Sequence, residues 1–214
     1  MTRNDPLHLR YDKLGPCVAS ALQKRHFEAF YCPSADEALQ KAIGLIPAGD
    51  TVSWGGSMTI SQIGLLSYVK EHFSVIDRDD AKTPSERVEI MRRGLLADTF
   101  LMSTNAISED GQLVNIDGNG NRTAALIYGP KNILIVAGMN KVARDLHAAY
   151  DRARHTAAPA VVQRFPSAKT PCNVTGSCAD CLTPDSCCAQ FVRTRLCRPQ
   201  GRIKVILVGE NLGL

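Results

Sequence analysis

Apolar residues recur along this chain in two rhythms, a helical spacing of three to four residues and short unbroken runs. Residues 16–31 carry a helical pattern that includes Val18, Leu22 and Phe30. From Asp36 to Ile46 the pattern is sharper, with Ala38, Leu39, Ala42, Ile43 and Ile46 on one face, and Pro47-Ala-Gly49-Asp50 stops it. Thr51-Val-Ser-Trp54 predicts a short strand that Gly55-Gly56-Ser57 breaks. Thr59-Ile-Ser-Gln62 has the form of a capping box and predicts a helix to about Lys70. Phe73 to Asp77 predicts the next strand. Thr83-Pro84-Ser85-Glu86 predicts a helix start, with Val88, Met91, Leu95 and Leu96 on one side. Thr99 to Ser103 reads as a buried strand, and Ala106 to Ile116 as a hairpin with a two-residue turn at Asp110-Gly111. A short helix from Thr123 to Tyr128, an apolar strand from Asn132 to Ala137 and a helix from about Lys141 to Ala153 follow. The last strand is Ile203 to Val208.

Helices alternating with apolar strands predict an α/β fold, a mainly parallel sheet covered by helices on both faces. Residues 1–214 form one domain in this reading, and residues 171–198 are a cysteine-rich flap inserted before the last strand. The 44% hydrophobic and 21% charged shares exclude a disordered chain. A net charge of +4 is too small to call for nucleic acid. The locally basic stretch from Arg193 to Arg202 reads as a solvated surface that balances an anionic site. No apolar run is long enough for a membrane span, and Met1 to Leu14 lacks the apolar core of a leader. A cytoplasmic location is therefore expected, where disulfides are uncommon.

That expectation changes how the cysteines read. Five of the eight, Cys172, Cys178, Cys181, Cys187 and Cys188, crowd one stretch that Pro171, Gly176 and Pro184 mark as loop. Thiolates crowded on a loop suit a soft metal or an iron–sulfur cluster, because several sulfurs can reach one centre. Cys178-x-x-Cys181 is a bidentate grip, and the set is completed by Cys172 and by Cys187 or Cys188. Zinc ribbons usually carry two such knuckles and this chain has one, which favours a cluster over zinc. Cys17 and Cys32 read as buried free thiols. His147 and His155 read as surface residues.

In open α/β sheets ligands bind outside the carboxyl ends of the strands. Gly55, Gly56 and Ser57 fall there, where bare backbone and a helix start suit a phosphate or carboxylate; a tight strand-to-helix turn is the alternative. Asn115-Ile-Asp117-Gly118-Asn119-Gly120-Asn121-Arg122 is dense in donors and reads as a binding loop. Arg122 offers a bidentate partner for an anion. Asp117 is a nucleophile, a base or a brace for the loop. Ser103-Thr104-Asn105 and Gly138-Met-Asn140-Lys141 end two further strands on the same rim. For Asn140 a helix cap, and for Lys141 simple solvation, are the alternatives.

Three stretches carry a resemblance: Val52-Ser-Trp-Gly-Gly-Ser57, the long run from Ser103 through Arg122, and Val136-Ala-Gly-Met-Asn-Lys141. With the tail from Pro171 to Cys188 and the ending Val205 to Gly213, they resemble the lactate-utilisation (LUD) domain family, in its stand-alone, cysteine-bearing branch. The resemblance covers nearly the whole chain. It implies a fold like that of the sugar-phosphate isomerase, CoA-transferase and formyltetrahydrofolate cyclo-ligase superfamily, whose members bind anionic ligands at the strand ends. It also implies a fourth metal-binding cysteine at Cys188, with Cys187 standing where the family has an apolar residue. Iron–sulfur oxidoreductase proteins of lactate oxidation are the partners it implies.

The leading expectation is a protein of lactate or related organic-acid metabolism, possessing an anion pocket and a metal centre. The pocket would use Gly55, Gly56, Ser57, Asn105, Asp117, Gly118, Asn119, Gly120, Asn121, Arg122, Asn140 and Lys141. The centre would use Cys172, Cys178, Cys181 and Cys188 to hold a four-iron four-sulfur cluster, or alternatively zinc, in electron transfer or in ordering the flap. A second expectation is a transferase or isomerase in which Asp117 or Glu109 does acid–base or covalent work beside a structural metal. A third is a zinc-bearing interaction module that uses the basic stretch. A homo-oligomer is compatible with each.

Overall fold

A computed structural model describes residues 5–214; the first four residues of the segment read for a leader lie outside it. Asp5 caps the first helix, α1 (Pro6–Lys24), with Pro6 at its first position. Tyr11, Gly15, Val18, Ala19 and Leu22 are its buried face. The helical pattern read over residues 16–31 is therefore two elements. α1 begins earlier, and Glu28–Cys32 is a strand, β1. Apolar Phe27, Ala29 and Phe30 fit either period over so short a run. Then come α2 (Ala35–Gly44), β2 (Thr51–Trp54), α3 (Met58–Gln62), α4 (Leu65–His72), β3 (Ser74–Ile76) and α5 (Pro84–Gly94). Ser57, not Thr59, caps α3, accepting from the Ile60 N–H, and Gly64 at φ +80° divides the predicted single helix into two.

β4 (Thr99–Met102) leads into the hairpin β5 (Ala106–Ser108) and β6 (Leu113–Asp117). Its loop holds three residues, not two: Ser108 and Gln112 still bond, and Gly111 takes φ +85°. α6 (Asn121–Tyr128) and β7 (Asn132–Gly138) follow. The helix predicted from Lys141 does not start there. Val142–Ala143 pairs with β5 as a short strand, β8. Asp145 then caps α7 (Leu146–Asp151), a π-helical turn spans Arg152–Ala157, and α8 (Ala158–Val162) completes the segment. The cysteine flap is not loop throughout. Pro171 opens a short helix, α9 (Pro171–Thr175), and Gln190–Thr194 forms β9 against β6. β10 (Ile203–Val208) is the last strand.

Six strands form one parallel sheet in the order β1-β10-β7-β4-β2-β3. Side chains alternate across it. Phe100, Met102, Ile133, Ile135, Val205 and Leu207 meet α1 and α6 on one face. Leu101, Leu134, Val136, Ile206 and Val208 meet α2, α3 and α4 on the other. This is the α/β sandwich that the element order predicts. A second sheet, β8-β5-β6-β9, stands beyond the carboxyl ends of the first. Alanines 149, 153 and 158 pack on it, together with Cys187 and Cys188.

The basic stretch is not simply solvated. The Arg193 Nε donates to Gln112, and the Arg202 guanidinium donates to the carbonyls of Ala125, Leu126 and Pro130, closing the end of α6. Cys32 is buried, as expected, but Cys17 is exposed. His147 and His155 lie at the surface, and His155 has a partner that the sequence did not suggest, Asp151 at 3.0 Å. Among the described residues no helix is long and apolar enough to cross a membrane.

Candidate functional site

Because all six strands run the same way, their carboxyl ends form one rim. The turns after β2, β4 and β7 meet the β6–α6 loop there around a cavity of about 680 Å³. Gly56, Ser57, Ser103, Asn105, Asn119 and Lys141 line one side, and Thr183 through Cys187 of the flap line another. Arg78, Arg87 and Arg164 also reach the cavity, against Asp79 and Asp185. Burial lowers the Arg78 pKa from its usual range; Asp79, 3.9 Å away, and Asp77 oppose that shift, and Arg87 and Arg164 add to it. Arg87 pairs with Asp79 at 2.8 Å. A Cβ on Gly56 would stand 2.8 Å from the Arg78 guanidinium, so the bare backbone gives this arginine its place.

Arg122 does something other than grip a ligand. One terminal nitrogen donates to the Ser103 carbonyl and Asn115 Oδ1, and the other to Asn105 Oδ1 and the Ile116 carbonyl. Its Nε faces Asp117 at 3.8 Å. Four of the five N–H donors are thereby hydrogen-bonded inside the protein, and the fifth, on Nε, lies at ion-pair distance from Asp117. The guanidinium ties the turn after β4 to the hairpin, and the bidentate hold on an anion is not open to it. Burial lowers its pKa, with Asp117 opposing that shift.

Asp117 is equally occupied. Its two carboxylate oxygens accept from the Gly120 and Thr123 N–H groups, bracing the loop and the start of α6. Of the roles open to it in sequence, this geometry matches the brace. Gly118 and Asn121 line the cavity with it, while Gly120 takes φ +79°. A Cβ on Gly118 would meet the Cys187 backbone at 3.1 Å, so the flap rests on this loop. Gly55 is buried against the Arg122 side chain and does not line the cavity. Asn140 is not a helix cap: its Oδ1 accepts from the Leu212 N–H and pins the segment after β10. Glu109 sits in the hairpin loop, bonds through its backbone to Ala143, and is not brought to the cavity.

Lys141 departs most from expectation. It is 3% exposed, not solvated. Its amine donates to Ser103 Oγ at 2.9 Å and Thr59 Oγ1 at 3.1 Å. Burial brings its pKa down to about 7, and the two charges that act on it, Arg152 and Arg122, are both positive and push the same way. Arg152, from the π-helical turn, donates to the carbonyls of Asn140 and Asn105 and so fixes this corner. Thr59 and Arg152 were not among the predicted residues. Their positions depend on chain crossings that no local pattern encodes.

Behind the flap lies a second cavity, of about 210 Å³, lined by Cys172, Cys178, Cys181, Cys187 and Cys188. Arg154 borders it, paired with Asp180, and Cys178 favours its charge. The Cys188 thiol lies 3.8 Å from Cys187. Its hydrogen bond brings the Cys187 pKa down to about 7 and raises its own. Among the described residues no three His, Cys, Asp or Glu side chains converge closely enough to hold one metal ion. Zinc–sulfur bonds of about 2.3 Å require that convergence. A cubane cluster takes one thiolate on each iron, so it suits a wider ring of sulfurs around an open centre. Thiols lining one cavity are the donor type that either group takes. Cys197 stands apart: its sulfur is buried, donating to the Pro199 carbonyl and accepting from the Ile203 N–H.

Comparison with known proteins gives three findings. The LUD domain model matches residues 17–208. No curated protein matches the chain. Among solved structures, a DUF162-family protein from Deinococcus radiodurans is similar at a TM-score of 0.52 and 13% identity, over 92% of this chain and 97% of that one. Ribose 5-phosphate isomerase from Plasmodium falciparum (13% identity, 50% of this chain, 51% of that one) and the eIF2B delta subunit from Chaetomium thermophilum (17%, 66% and 57%) align at TM-scores of 0.31, a level from which nothing follows.

Proposed function

The chain belongs to the LUD domain family, and from that membership we propose that it binds a small organic anion in the strand-end cavity and an iron–sulfur cluster in the cavity behind the flap. The observation that carries this reading is a shared wall: Ser186, Cys187 and Ala189 line both cavities. A ligand in one would lie a single layer of chain from a cluster in the other. Cys172, Cys178, Cys181 and Cys188 would hold the cluster, which supplies one-electron transfer when bound. Cys187 would form the partition. Arg154, beside Cys178, would offset the negative charge of a thiolate-bound cluster.

For the anion, the groups in support are Arg78, Arg164 and Lys141, which line the cavity as cations or potential cations. A ligand of the class of lactate and related organic acids suits them, in a cytoplasmic protein serving iron–sulfur oxidoreductase partners. The transferase or isomerase reading is weakened for its named residues, because Asp117 is engaged as a brace and Glu109 lies elsewhere.

The test is metal and sulfide analysis, with a visible spectrum, on protein purified without oxygen or chelators. The expected result is about four irons and four sulfides per chain with broad visible absorption. Alanine at Cys172, Cys178, Cys181 or Cys188 should abolish it, and alanine at Cys187 or Cys197 should not. Stoichiometric zinc would make the flap structural and remove electron transfer. Neither metal would overturn the cluster reading.

A further inference from the structure

Lys141 is a buried amine at the edge of a cavity large enough for a small metabolite, and among the described residues no carboxylate is paired with it. Such a lysine is costly to keep as a strut, since an apolar side chain would fill the space without a charge to desolvate. Its neighbours do not neutralise it. Thr59 and Ser103 offer hydroxyls from two different elements, and Arg152 and Arg122 repel a proton from it. Both arginines are themselves held by backbone carbonyls, so neither can swing away. This is the environment in which lysines become nucleophiles, desolvated and next to other cations.

We propose that Lys141 is a covalent site for a small oxo acid, forming an imine with the carbonyl carbon of a ligand whose anionic group is received by Arg78 of the same cavity. The inference rests on the reading of that cavity as an anion pocket. Gly56 and Thr59 join the two groups, since Gly56 leaves room for Arg78 and Thr59 holds the Lys141 amine three residues on.

The step balances without a redox partner. The amine lone pair attacks the carbonyl carbon, a C–N bond forms, and the carbonyl oxygen takes up the amine proton. The C–O bond of the resulting carbinolamine then breaks as the nitrogen lone pair forms the C=N bond, and oxygen leaves as water with a second proton, the one remaining on nitrogen. Ser103 and Thr59, both within hydrogen-bond reach of the nitrogen, are placed to pass these protons. At pH 7 an amine with a pKa of about 7 is about half neutral, whereas an ordinary lysine is neutral in only about one molecule in 2,500.

The experiment uses the full chain with pyruvate, and separately dihydroxyacetone phosphate, in sodium cyanoborohydride, followed by peptide mass mapping. The reduced adduct should fall on Lys141 about tenfold or more above any other lysine. Its yield should level off above pH 7, while adducts on ordinary lysines keep climbing about tenfold per unit. Lys141→Met should remove it, and if that variant does not fold, the pH profile of the native chain decides alone. Binding of the same ketones without reductant is followed in parallel by thermal shift, in the native chain and in Arg78→Ala. Binding that Arg78→Ala weakens, without an adduct on Lys141, overturns the imine and leaves the anion pocket standing. Neither binding nor adduct overturns both. Adducts spread evenly over the lysines also overturn the imine.

Discussion

Arg122 and Lys141 are two buried cations with opposite consequences. Arg122 donates to four oxygens at once, so Arg122→Ala takes this donor from Asn115 and two carbonyls and leaves Asn105 Oδ1 with the Ile116 N–H alone. A loss of about 3–5 kcal/mol is expected from urea unfolding, and Arg122→Lys should recover little of it, since a single ammonium cannot reproduce the fork. Lys141 works against stability. Its pKa is lowered in the folded chain, so between pH 7 and about 10 the unfolded chain holds more protons and stability rises with pH. Below pH 7 both states are protonated and the full penalty of burial applies. Lys141→Met lacks this slope. Its stability relative to the native chain should therefore fall by about 1.4 kcal/mol per unit from pH 7 to pH 10; urea midpoints at pH 7, 8 and 9 measure it, and parallel curves would contradict a depressed pKa. Sequence made the donor-dense loop around Arg122 visible, because Asn, Gly and Asp so rarely crowd together without a purpose. It could not reveal that Asn105 and Asn115 turn that guanidinium inward. Nor could it reveal the burial of Lys141, since a lysine at the end of a strand is ordinarily solvated and only the folded chain covers this one.

Among the elements, the mostly buried strands were legible: β2, β4, β7 and β10 stand within a residue or so of where their sequence pattern put them. Where two periods fit the same few residues, as at β1, the pattern could not choose. Where tertiary pairing competed with helix propensity, as at Val142–Ala143, pairing won. The flap shows the same limit, because the pairing of β9 with β6 brings together segments some eighty residues apart. Its seating depends on a single missing side chain. Gly118→Ala would put a methyl 3.1 Å from the Cys187 backbone, which is anchored in the alanine-lined core beneath the second sheet. The flap should lift. Limited proteolysis should then cut between residues 171 and 198 several-fold faster than in the native chain, while the circular dichroism of the six-stranded sheet stays unchanged. Equal cutting rates would mean that the loop, not the flap, gives way.

At the scale of the molecule, two sheets carry different duties. The six-stranded sheet buries every residue of β7, and the smaller sheet carries the flap. Hydrogen exchange should be slowest in β7 and β10. Chelation of a bound metal should speed exchange in residues 171–198 and in β9 without reaching β7, and acceleration across both sheets would mean that they unfold as one unit. β10 lies between β1 and β7, so the place between the edge strand β1 and the rest of the sheet is filled by the latest of the six strands. A ribosome exposes β1 and β7 with a strand-wide gap between them, and has already released all of the flap cysteines before residues 203–208 can enter it. The nascent chain thus carries its flap thiols in the open while the sheet is still incomplete. The two bare strand edges stay open to chaperones until β10 closes the gap.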